Sequence, residues 1–155
     1  LAGTQTGKSV LGTSSKISGA NLYSRLNYWI VKCGGAALSA PPTLVGVEAP
    51  CEADLSLTAD SFTFQLPDPP AETADLKLVI MASAPQSKGV TKAYSKAVMI
   101  GSPRTIVEEA INIKADYEAV HGAVTTAAPK VFLRYFFVNT KTGEKSGEML
   151  GQISL

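Results

Sequence analysis

Charge is scarce in this sequence. Only 17% of its 155 residues are Asp, Glu, Lys or Arg, while 45% are hydrophobic. The 14 basic and 13 acidic residues nearly cancel, so no net field draws the chain toward nucleic acid or an anionic membrane. Histidine occurs once, as His121, and no second histidine or acidic cluster is spaced to share a metal with it. Two cysteines, Cys33 and Cys51, are too few for a disulfide framework. They either pair with each other or sit as small buried hydrophobes. No apolar run reaches the roughly 18 residues that argue a membrane span. No serine lies in the Gly-x-Ser-x-Gly elbow of a hydrolase. A surface this lean in charge is expected where a partner covers part of it, or in a compact Ala-rich domain.

What the chain does have is a long apolar strand. Residues 131–155 read VFLRYFFVNTKTGEKSGEMLGQISL, which predicts a β-hairpin. Val131, Leu133, Tyr135 and Phe137 fall on one face of the first strand, and Phe132, Arg134, Phe136 and Val138 on the other. Apolar side chains on both faces predict a central strand covered on both sides. Asn139 to Gly143 supplies the turn, with Asn tolerating left-handed backbone, Gly taking it freely and Lys141 solvating the tip. The return strand alternates Met149, Ile153 and Leu155 with Leu150, Gln152 and Ser154, which leaves one face wetter.

The first 18 residues are rich in Gly, Ser, Thr and Lys and predict an arm with no core of its own. Residues 18–33 carry Leu22, Leu26, Trp29, Ile30 and Cys33 along one helical face. Ser18 is the expected cap, Gly34-Gly35 the stop, and Pro41-Pro42 the bar to resumption. Beyond Pro42 the period changes to alternation. Strands are expected at 44–47, 53–58, 62–66, 76–82, 93–100 and 104–113, with a short helix over 115–121 before the hairpin. The chain therefore divides into an arm and helix (1–42) and a β-domain (43–155).

The motifs that could carry chemistry are weak. AGTQTGKS (2–9) fits a relaxed phosphate-loop pattern, with Lys8 and Ser9 in the lysine and magnesium positions. It lacks the preceding strand, and Gly12 interrupts any following helix. Asp54 with Asp60, and Glu108 with Glu109, are expected on solvated turns and strand faces. Tyr23, Tyr28 and Trp29 are expected to pack rather than to form a sugar platform. No cofactor, metal site or small-molecule substrate is expected.

The aromatic strand, Asn, short turn, Gly and Ser146 of the final hairpin resemble the last hairpin of a fibronectin type III domain. SFTFQLPDPPAETADLKLVIMAS (61–83) resembles that family's second and third strands, with Leu66 where the family has a buried Trp. The resemblance implies a mainly β chain: a seven-stranded immunoglobulin- or fibronectin III-like β-sandwich preceded by an extended arm and one amphipathic helix. In that order strands 76–82, 131–138 and 149–155 share a sheet. Its outer face would carry Val79, Met81, Phe132, Phe136 and Val138, an apolar patch that the helix or another subunit must cover. As a whole, the pieces SGANLYSRLN, Ala40-Pro41-Pro42, DYEAVHG and YFFVNTKTGEKS resemble uncharacterised structural proteins of tailed phages and prophages.

These readings imply a non-enzymatic structural subunit of a virion or extracellular surface assembly. Its partners would be protein neighbours, in a homo-oligomer or larger assembly. The expected interface residues are Leu22, Leu26, Trp29 and Ile30 on the helix, with Val79, Met81, Phe132 and Phe136 on the sheet. The alternative is a surface module that binds glycan or peptide through loops such as 85–92 or 124–130.

Overall fold

The computed structural model describes residues 4–6, 16–40 and 42–155, with side chains from residue 21 onward. Most of the expected arm, including Lys8 and Ser9, lies outside the described residues, as do Pro41 and the side chain of Ser18. Two short strands of the arm are described. β1 (Thr4–Thr6) pairs antiparallel with β2 (Lys16–Ser18) in a two-stranded ribbon.

Helix α1 (Gly19–Lys32) follows directly, within a residue of the span its periodicity predicts. It ends as the glycine pair requires. Gly35 N–H donates to the Ile30 carbonyl and Gly34 N–H to the Val31 carbonyl, with Gly34 at φ +88°. That is the Schellman arrangement, in which a left-handed residue lets two orphan carbonyls find donors.

Seven strands then form two antiparallel sheets. One has the order β3 (Asp54–Leu57), β4 (Phe62–Gln65), β7 (Ile111–Asn112). The other has the order β6 (Val98–Met99), β5 (Leu76–Ala82), β8 (Lys130–Asn139), β9 (Met149–Ser154). Helix α2 (Lys114–His121) lies between β7 and β8 in sequence. The sheets share one core. Phe62, Phe64 and Leu66 from the first meet Leu78, Ile80, Val131, Leu133, Tyr135 and Phe137 from the second. Phe64 and Tyr135 make an edge-to-face pair with centroids 5.0 Å apart, the geometry that their ring quadrupoles favour.

The alternation in the sequence is what fills this core. Phe62 and Phe64 are buried while Thr63 and Gln65 are half-exposed. β8 departs from alternation, and both of its faces are buried from Val131 to Val138 except at Arg134. Its ends are closed by two serines. Ser83 N–H donates to the Phe132 carbonyl while its hydroxyl accepts from Phe132 N–H. Ser146 does the same for Phe137. Each hydroxyl replaces a carbonyl that the neighbouring strand no longer supplies, so no N–H is left orphaned there.

Three expected strands differ from the structure. Residues 44–47 form none, because Val45 and Gly46 donate their N–H groups to the Glu144 carboxylate instead of to a strand. Of residues 93–100, Tyr94–Lys96 is a 3-10 turn and only Val98–Met99 pairs. Of residues 104–113, Arg104 makes an isolated bridge to Leu78 and only Ile111–Asn112 is a strand. Gly101 at φ +64°, followed by Pro103, turns the chain between these pieces, where a continuous ladder needs extended backbone and N–H donors.

The final turn also works differently from expectation. Asn139 is not left-handed, since positive φ occurs only at glycines among the described residues. Its side-chain oxygen accepts from Lys141 and Thr142 N–H, an Asx-type cap on the turn. Gly143 alone takes φ +77°, and a Cβ there would overlap the Leu26 carbonyl of α1. The helix thus rests directly on the turn. A Gly143→Ala variant is expected to lose about 2 kcal/mol or more in urea denaturation, from the steric overlap added to the left-handed strain. Gly34→Ala, at the helix stop, has a similar φ of +88° but open space around it, so it is expected to lose only about 1 kcal/mol. Equal losses would show that α1 does not sit on the turn.

Candidate protein interface

The outer face of the four-stranded sheet carries Val79, Phe136 and Val138, which are buried together under Trp29 and Cys33 of α1. Trp29 meets Phe136 edge-to-face at 5.3 Å between centroids. One turn further, Cys33 continues the same stripe, as i and i+4 positions must. Leu22, Leu26 and Ile30 are each only 2% exposed. The helix therefore packs in cis, on its own sheet.

That finding decides where the eight expected interface residues lie. Leu22, Leu26, Ile30, Val79, Phe132 and Phe136 are buried within a single chain. Trp29 and Met81 are half-buried against the Val79–Phe136 cluster. The structure unites Trp29, Val79, Met81 and Phe136 in one cluster. Phe132 lies apart, covered by Tyr94 of the 3-10 turn at 5.1 Å. The sequence left open whether the helix or another subunit covers this face; within this chain α1 covers it.

The rim of the covered patch is charged. Arg134 and Lys145 both reach the Glu148 carboxylate, at 3.3 and 2.8 Å. Lys145 also stands 4.6 Å over the Phe136 ring, where the negative face of the ring attracts a cation. Arg134 further lies 3.9 Å from the Met81 sulfur. Arg134 is the polar interruption on the outer face of β8; its two Nη atoms reach Glu148 and Met81, while its buried Nε has no partner among the described residues.

Beyond the helix, apolar side chains remain in water. Tyr28 is 56% and Val31 55% exposed on the far side of α1. Leu44 and Val45 are exposed on the irregular segment that follows, as is Leu150 on β9. Tyr28 departs from the expectation that it packs: it lies off the Leu22–Leu26–Trp29–Ile30 stripe and makes only an edge-to-face ring contact, with Trp29 at 5.1 Å between centroids.

The remaining candidates are structural. Glu144 is buried, and its carboxylate accepts from Val45 N–H, Gly46 N–H and the Thr142 hydroxyl. A buried carboxylate tied this way pins residues 45–46 to the hairpin. His121 bonds the Ala82 carbonyl at 2.8 Å and tilts against Tyr117. Tyr117 donates to the Ser83 carbonyl, and Tyr135 accepts from Ala53 N–H. Asp54, Asp60, Glu108 and Glu109 are exposed, and no metal-binding group of three occurs among the described residues. Cys33 and Cys51 are free thiols. Burial pushes the Cys33 thiol up, partly offset by Lys77. No described helix is long and apolar enough to cross a membrane.

A cleft of about 600 Å³ opens between residues 46–51 and the proline loop at Asp68, Pro69 and Pro70, with Leu76 and Phe137 in its lining. Glu48 and Asp68 stand on it. The loops at 85–92 and 124–130, which were candidates for recognition, do not line it.

No family model, curated protein or solved structure matches this chain.

Packing in cis makes Trp29→Ala destabilising in dilute solution. The expected loss is about 2–3 kcal/mol, and it should not change with protein concentration. A loss that appears only at high concentration would place Trp29 against a neighbour instead. Alkaline pH gives a second test. Burial raises the hydroxyl pKa of both Tyr117 and Tyr135. Unfolded tyrosines release protons near pH 10, while these two hold theirs to higher pH. The unfolded state then binds fewer protons, so stability is intact below about pH 10 and falls as pH rises above it. The slope is at most about 1.4 kcal/mol per pH unit per tyrosine. Tyr135→Phe should flatten the decline in a series of urea melts from pH 9 to 11.5, and an unchanged slope would remove Tyr135 from this account.

Proposed function

We propose that this chain is a non-enzymatic structural subunit of a virion or extracellular surface assembly. The observation that carries the proposal is how the buried polar groups are used. Glu144, Ser83, Ser146, Tyr117, Tyr135 and His121 each hold main chain. Their capacity goes into fixing loops and strand ends, as a scaffold requires, rather than converging on a space where a substrate could react. The apolar sheet face is closed by α1, so neighbours are met by what it leaves exposed, the far side of α1 at Tyr28 and Val31 and residues 44–45, and by the arm that the sequence suggests.

A fibronectin type III-like sandwich is part of the proposal. Its support is that β5, β8 and β9, the strands which that order puts in one sheet, lie side by side. The virion setting rests on the resemblance of SGANLYSRLN and YFFVNTKTGEKS to structural proteins of tailed phages. A second reading, recognition of a peptide, is favoured by the proline-lined cleft with its two acidic residues. A basic, extended peptide suits that chemistry better than a sugar, since Phe137 is the only aromatic residue lining it.

Multi-angle light scattering of the full chain over a hundredfold concentration range tests the assembly reading. Mass above that of one chain is expected at the upper end. A strict monomer throughout would reject assembly and leave the recognition module.

A further inference from the structure

A sheet edge exposes hydrogen-bonding groups that another strand can use, and soluble proteins blunt their edges with short strands, charges, proline or bulges. Three of the four edges of the two larger sheets are blunted. β6 and β7 are two residues long. β3 is four residues long and carries Asp54. β9 ends the order β6-β5-β8-β9 and is six residues long. From Met149 to Leu155 it holds neither a charged residue nor a proline.

The register fixes which groups of β9 are free. Phe132 exchanges hydrogen bonds with Ser83 on the β5 side, and Phe137 with Ser146 on the return side. Main-chain groups alternate in direction along an antiparallel strand, so Val131, Leu133 and Tyr135 turn toward β9. Their register partners are Ile153, Gly151 and Met149. The N–H and C=O groups of Leu150, Gln152 and Ser154 therefore point off the open edge. No described strand hydrogen-bonds to that edge. β3 neighbours β9, with Leu55 against Gly151 on the core side, the side opposite to Leu150 and Gln152.

We propose that β9 is the contact between two copies of this chain, paired antiparallel edge to edge about a two-fold axis at Gln152. The inference rests on the assembly reading and names its partner surface. In this register Gln152 faces Gln152 of the partner subunit, and Leu150 faces Ser154 of the partner subunit. Each facing pair exchanges both of its N–H···O bonds, and the sheet runs continuously through both copies. A second copy is the fitting occupant because the two-fold axis sets Gln152 against Gln152 and Leu150 against Ser154, so no pairing in this register opposes like charges. β9 has none. Leu150, 51% exposed in the single chain, gains a covered face.

Sedimentation velocity and amide hydrogen exchange on the full chain test this. Gln152→Pro removes an outward N–H and no bond to β8, so the fold should persist. Gln152→Lys sets two like charges at the axis through an exposed side chain and covers the case in which the proline variant fails to fold. The expected result is a dimer whose midpoint moves at least tenfold to higher concentration in each folded variant. The Leu150, Gln152 and Ser154 amides should slow their exchange as wild-type protein is concentrated. A wild-type chain that associates equally well in both variants would overturn the β9 contact and leave assembly through another surface. A wild-type chain that stays monomeric would overturn both.

Discussion

Strand β8 cannot meet water on either face. Its inner residues, Val131, Leu133, Tyr135 and Phe137, need a second sheet, and its outer residues, Phe132, Phe136 and Val138, need a third layer. Burial of apolar side chains is worth about 1.5–3 kcal/mol each, so leaving either face open would cost an amount comparable to the whole net stability of a domain. Most other features follow from meeting this requirement. β3 and β4 close the inner side, α1 and the 3-10 turn close the outer side, and β5 and β9 supply the ladder.

The polar groups serve the same end. A strand buried on both sides has no water to satisfy its main chain at the points where its neighbours leave off. Ser83 and Ser146 fill those two points. Glu144 then draws residues 45–46 against the turn below α1, so the segment that leaves the helix is held near the sheet the helix covers. The approach of Leu26 to Gly143 requires the backbone of the turn itself, with no side chain between. Helix, turn and lead segment are thus one unit clamped on the outer face. A protein built this way has closed the apolar outer face of its sheet without a partner; in the proposed assembly, contact falls to surfaces of a different kind, scattered apolar residues or a strand edge.

The core was legible where periodicity is strong. Phe62, Phe64 and Leu66 alternate cleanly, the α1 stripe repeats over three turns, and 131–138 is apolar on both faces. Those patterns reach the right elements because burial acts on each side chain according to its direction, and direction is set by local geometry. Residues 44–47 and 104–113 were misread for the converse reason. Their β-branched residues read as strand formers, but a long-range carboxylate at Glu144 and the turn at Gly101 and Pro103 redirect their main chains. For the candidate interface the pattern was legible up to a point. The eight residues are apolar and do need covering; what the pattern could not say was which molecule covers them.

The sequence by itself determined the mainly β architecture, the one long helix with its glycine stop, and the need for a cover on both faces of β8. Each is a local or periodic property carried by neighbouring residues. Only the tertiary structure decided that α1 folds back onto its own sheet, that Glu144 holds residues 45–46, and that β9 is left with an open, uncharged edge. Those are contacts between residues up to about a hundred positions apart, 99 in the case of Val45 and Glu144. Side-chain type says that such a group needs a partner, and the path of the chain alone says which partner it meets.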